Sequence, residues 1–105
     1  MIDLKGYIHY NRQTDQFQVF SWLEEDSNII KTGLDAMNIQ LYSKEGVALS
    51  YNENAITPNA IGLFTSAEVD NPDFLTVGEA YVMYFETEYD GATYSTYVPF
   101  NILKF

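Results

Sequence analysis

The chain has 105 residues, 47% of them hydrophobic and 16% aromatic, enough apolar material for one core and not for two. Fifteen acidic residues against five basic ones give a formal net charge of −10, which repels the phosphates of nucleic acid and of anionic lipid. Cysteine is absent, so disulfides, thiolate metal sites and a thiol nucleophile are excluded.

No apolar run approaches the ~20 residues that span a bilayer, and Met1-Ile2-Asp3-Leu4-Lys5-Gly6 lacks the basic and apolar regions of a secretory signal. The expectation is a single domain over residues 1–105 that binds neither nucleic acid nor membrane. Nine Tyr and seven Phe favour strands. Short apolar runs separated by turn residues, with no long segment of helical period, predict an all-β chain of about seven strands.

In chain order, a strand over Leu4 to Tyr10, the polar cluster from Asn11 to Asp15 and a second strand from Gln16 to Leu23 read as a hairpin. Glu24 to Asn28 breaks the pattern, and Ile29 to Gly33 reads either as a brief strand or as a loop edge. The alternation of Met37, Ile39 and Leu41 against Asn38, Gln40 and Tyr42 marks a half-buried strand closed by Lys44-Glu45-Gly46. Val47, Leu49 and Tyr51 continue the meander. Asn52 to Asn59 reads as a polar crossover between sheets, followed by a strand over Ile61 to Val69 that Asp70-Asn71-Pro72-Asp73 ends.

From Phe74 onward the sequence is more specific. Leu75, Gly78 and Tyr81 stand as Leu-x-x-Gly-x-x-Tyr just before a strand, which resembles the tyrosine corner of immunoglobulin-like and fibronectin-type-III-like sandwiches. The resemblance implies a ring in the core whose hydroxyl returns to backbone a few residues upstream. Further on, Asp90-Gly91 is a two-residue hairpin turn of the type that needs positive φ at both centres.

Pairing outward from that turn sets Glu88 opposite Thr93, Glu86 opposite Ser95, Tyr84 opposite Tyr97 and Val82 opposite Pro99 on one face. The other face pairs Thr87 with Tyr94, Phe85 with Thr96, Met83 with Val98 and Tyr81 with Phe100. The second face carries the corner tyrosine and the larger apolar groups, so it is assigned to the core. Tyr84, Tyr97, Val82 and Pro99 are then outward. They are either a cross-strand pair that stabilises a solvated sheet by about 0.2–1 kcal/mol, or a patch for contact with a partner, a use to which Tyr is well suited.

Other features carry less chemistry. Trp22 alternates out of step with Phe17, Val19 and Leu23; a bulge near Ser21 would bring it into the core, and otherwise it is an exposed anchor. Glu24, Glu25, Asp26, Asp70, Asn71 and Asp73 could offer oxygen ligands to calcium only if their loops meet, and without EF-hand spacing they read as solvated loops. His9 is the only histidine, so a triad or a His-based zinc site has no partners. Arg12 alone makes no anion clamp, and no glycine pattern cradles phosphate. The expectation is no metal, no cofactor and no enzymatic activity.

Gly62-Leu63-Phe64, Leu75-x-x-Gly78-x-x-Tyr81, Asp90-Gly91 and Pro99-Phe100, in an acidic, cysteine-free sandwich that begins at Met1 and ends within its last strand at Phe105, form a pattern similar to small accessory proteins of tailed-bacteriophage virions. That resemblance implies a structural module contacting capsid or tail proteins, in several copies around a symmetric particle, and located in the virion; without it the location reads as cytoplasmic. These are scaffold motifs and transfer no site residues. The alternative is a carbohydrate-binding or host-adhesion module, whose Tyr and Trp rings stack on sugars while Asp, Asn and Glu bind hydroxyls.

Overall fold

The computed structural model describes residues 1–70, 75–76 and 78–101. Among these there is no helix, and nine strands make up two antiparallel sheets. The strands are β1 (Ile2–Asn11), β2 (Gln16–Glu25), β3 (Asn28–Ile29), β4 (Leu34–Ser43), β5 (Ala48–Ile56), β6 (Phe64–Thr65), β7 (Val69–Asp70), β8 (Ala80–Tyr89) and β9 (Ala92–Asn101).

In the first sheet β1 and β2 form the expected hairpin, in unbroken register from Ile2 opposite Glu25 to Asn11 opposite Gln16. Phe17, Val19, Ser21 and Leu23 are the buried face of β2. No bulge interrupts the ladder at Ser21, so Trp22 lies on the outer face and not in the core. The residue that made the pattern ambiguous is Ser21, a polar side chain on the core side. It is kept there by donating a 2.7 Å hydrogen bond to the Lys5 carbonyl.

The far edge of β2 is paired in pieces by β3, β6 and β7. The continuous strand expected over Ile61 to Val69 is therefore replaced by two short ones. The Asn59 side chain accepts from the amides of Ile61 and Leu63, both at 3.0 Å, which folds residues 59–63 into a turn before β6 can start. Between β6 and β7, Ser66 donates its amide to the Val19 carbonyl and accepts the Val19 amide on its hydroxyl, each at 2.9 Å. A side chain thus completes one step of the ladder. β7 reaches Asp70, and the rest of the expected stop, Asn71 to Asp73, lies outside the described residues, as does Phe74. So does the expected chain end at Phe105, since β9 is described to Asn101.

The second sheet has the order β5-β4-β8-β9. Its edge strand β5 continues to Ile56, through the segment expected to be a crossover. Two register shifts accompany it. The Asn38 side-chain oxygen Oδ1 accepts the Ala55 amide at 2.9 Å. The Gln40 amide nitrogen donates to the carbonyls of Leu41, Leu49 and Tyr51. Side chains of β4 thus take up backbone groups that the bulges remove from the ladder, and bulging also blunts an edge that could otherwise recruit a foreign strand.

The two sheets enclose one core. Phe17 of the first meets Tyr51 of the second edge-on, ring centroids 5.1 Å apart at 82°. Met37, Leu41, Met83 and Phe85 are fully buried from the other side. The sheets approach closely at Gly6, where a Cβ would stand 2.6 Å from the Phe85 ring. Only a residue without a side chain fits there.

The last hairpin has the register set out from Asp90-Gly91, pair for pair from Tyr89 opposite Ala92 to Ala80 opposite Asn101. Asp90 and Gly91 take φ of 50° and 79°, the left-handed pair that matches strand twist. Tyr81, Met83, Phe85 and Thr87 are buried. Upstream of β8, Leu75 is buried, Gly78 has φ of 87°, and the Thr76 amide donates to the Tyr81 hydroxyl at 2.6 Å. Tyr81→Phe removes that acceptor while keeping the ring. It is expected to cost about 1 kcal/mol and to lower the thermal midpoint by about 4–8 °C, measured by circular dichroism; an unchanged midpoint would mean that the corner bond contributes nothing.

Candidate functional site

The outer face of the four-stranded sheet is organised in rows that run across the strands. The middle row is Asn52, Gln40, Tyr84 and Tyr97, one residue from each strand in order. On one side of it lies a polar row, Asn38, Glu86 and Ser95. On the other lies an apolar row, Ala48, Tyr42, Val82 and Pro99. The face therefore grades from amide and carboxylate to aromatic and aliphatic along β4 and β8, with Tyr84 at the junction.

The four residues singled out by sequence, Tyr84, Tyr97, Val82 and Pro99, are together at the apolar end. Counting from the two-residue turn, Tyr84 and Tyr97 form a non-hydrogen-bonded pair, the kind in which side chains lie closest. Their ring centroids are 4.8 Å apart, inclined at 45°. Pro99 also falls in a non-hydrogen-bonded pair, so its missing N–H removes no bond to β8. Tyr97 is 64% exposed. Tyr42, which the sequence marked only as an alternating strand residue, joins Val82 and Tyr97 around a hollow of about 250 Å³.

At the polar end a shallow groove of about 460 Å³ lies over β4, bounded by β5 and β8. The Tyr84 hydroxyl donates to Glu86 at 2.6 Å. That bond, with some loss of hydration, raises the phenol above its ordinary value of 10.0, because ionising it would set two negative groups against each other.

A second aromatic cluster occupies the outer face of the other sheet. Tyr7, opposite Phe20, stacks on it with centroids 5.0 Å apart at 12°, and meets Trp22 edge-on at 6.3 Å. The Trp22 indole donates to Glu24 at 3.2 Å. Sequence reasoning missed this cluster because it left the face of Trp22 open. Counting the first hairpin outward from Asn11 and Gln16 would have set Tyr7 against Phe20.

The acidic loops do not gather. Asp70 is paired with Gln16 at one end of β2, and Glu24 and Glu25 stand at the other, roughly 27 Å away at strand rise. Asn71 and Asp73 lie outside the described residues. Among the described residues no three His, Cys, Asp or Glu side chains are grouped to hold a metal ion. His9 is exposed on β1 opposite Gln18. No helix among the described residues is long and apolar enough to cross a membrane.

No family model, characterised protein or solved structure matches the chain.

Glu86→Gln is expected to bring the Tyr84 phenol down toward 10.0, followed by NMR of the tyrosine ring resonances through alkaline pH. If Tyr84 titrates identically in both proteins, its hydroxyl is not held by Glu86.

Proposed function

We propose that the chain is a non-enzymatic interaction module with an immunoglobulin-like sandwich fold, attached to a larger protein assembly through the apolar end of the outer face. The assembly is the virion of a tailed bacteriophage, in which the module is a capsid-decoration, neck, tail or baseplate protein present in several copies. The immunoglobulin-like part of the reading is supported by strand order. With β1, β2, β4, β5, β8 and β9 lettered A, B, C, C′, F and G, and the pair β6 and β7 taken as an interrupted E, one sheet reads A-B-E and the other C′-C-F-G. Tyr81 then stands at the start of F, where a tyrosine corner belongs.

The functional part rests on one observation, the outward-facing pair of half-buried Tyr84 and exposed Tyr97, continuous with Tyr42, Val82 and Pro99. Two phenol rings give large, rigid contact area with little entropy to lose. The Tyr84 hydroxyl is bonded to the Glu86 carboxylate, but its pKa is raised and not lowered, and the chemistry of the face suits contact rather than turnover. A net charge of −10 favours a neutral or basic partner surface and opposes stacking of the module on itself.

The test is co-sedimentation of the chain with capsid and tail fractions of the particle whose genome encodes it. Tyr84→Ala combined with Tyr97→Ala should weaken association by about tenfold or more, the loss of at least ~1.4 kcal/mol expected for aromatic anchors, with little change in melting temperature. Undiminished co-sedimentation of the double variant would refute the assigned face. Loss of folding would make the pair structural.

A further inference from the structure

We propose that the groove at the polar end of the same face binds a neutral oligosaccharide. The groove is about 460 Å³, within the range of small-molecule sites. Its lining includes four amides, Asn38, Gln40, Asn52 and Asn54, with the Glu86 carboxylate and the rings of Tyr84 and Tyr42. No cation is among these lining residues, so an anionic ligand would meet Glu86 without compensation.

What the amides offer follows from the bonds they already make. Asn38 spends its carbonyl oxygen on the Ala55 amide and keeps its NH₂ donors for the groove. Gln40 spends its nitrogen on three backbone carbonyls and keeps its oxygen as an acceptor. Each is fixed by the backbone of a bulge, so neither has to be ordered when a ligand arrives. Among the described residues, Asn52 and Asn54 make no side-chain hydrogen bond and offer both donors and acceptors. Glu86 has a second oxygen beyond the one held by Tyr84.

Donors and acceptors are therefore interleaved over a small area, with a ring at the edge. A ligand matching this pattern must carry groups that both donate and accept, at several positions, and an apolar face to lie on Tyr84. Hydroxyl groups around a sugar ring do so, and the ring's C–H face supplies the rest. A phosphate or carboxylate would satisfy only the donors, and an apolar ligand would strand all of the amides.

This inference is distinguishable from docking at the apolar end: the two share Tyr84 and Tyr42, but Tyr97, Val82 and Pro99 do not line the groove, and the four amides and Glu86 take no part in the docking patch. The experiment is an amide and side-chain NMR titration of the full chain with maltohexaose, cellohexaose, chitohexaose and mannohexaose, and with a heparin-derived hexasaccharide as the anionic probe. At least one neutral glycan should shift the side-chain amides of Asn38, Asn52 and Asn54 at millimolar concentration or below, and the anionic probe should not. Asn52→Ala with Asn54→Ala should weaken that binding by about tenfold, whereas Tyr97→Ala, which tests docking, should leave it unchanged. If no neutral glycan shifts these resonances, or if the double asparagine variant binds as well as the parent, the inference is wrong whatever Tyr97→Ala does to the assembly.

Discussion

The Phe85 ring of one sheet lies on Gly6 of the other, and that contact constrains how the two sheets pack. A Cβ at Gly6 would be 2.6 Å from the ring, well inside van der Waals contact. Gly6 is paired with Ser21 on the neighbouring strand, so the smallest pair of the first sheet receives the large side chains of the second. The Ser21 hydroxyl lies 3.9 Å from the Met37 sulfur beside it. Dense packing of this kind leaves little freedom to slide one sheet over the other.

With Phe85 inward, strand alternation leaves no choice for its neighbours. Tyr81, Met83 and Thr87 must follow it into the core, and Val82, Tyr84 and Glu86 must face out. β9 inherits the same division through the Asp90-Gly91 turn, which brings Tyr97 beside Tyr84. The outward tyrosine pair is therefore a consequence of how the core is filled. Its polar neighbour has a different origin, because Asn38 and Gln40 are outward residues of β4 that hold the bulged edge strand in place.

Where local chemistry dictates geometry, the sequence was readable. Asp90-Gly91 admits essentially one hairpin, and from it every pair of β8 and β9 can be counted. The Tyr81 spacing carries the short bond from the Thr76 amide. Elsewhere the deciding interaction is non-local. Residues 52–56 show no apolar alternation, since Asn52 and Asn54 face the groove, and what holds them as a strand is side chains from β4. Residues 61–69 look apolar enough for one strand, but Asn59 and Ser66 divide it. Trp22 was ambiguous because Ser21, a polar residue, occupies a core position, where its hydroxyl is satisfied by the Lys5 carbonyl on the neighbouring strand.

The most direct test of this arrangement is a double-mutant cycle between Gly6→Ala and Phe85→Leu, read by urea denaturation with the Tyr84 to Tyr97 ring contacts followed by NMR. Gly6→Ala alone should cost about 1–3 kcal/mol. In the Phe85→Leu background, where the ring has been removed, it should cost little, giving a coupling of at least about 1 kcal/mol while the tyrosine pair persists. Additivity of the two substitutions to within about 0.5 kcal/mol would contradict the claim that this one contact seats the sheets and fixes the outward face.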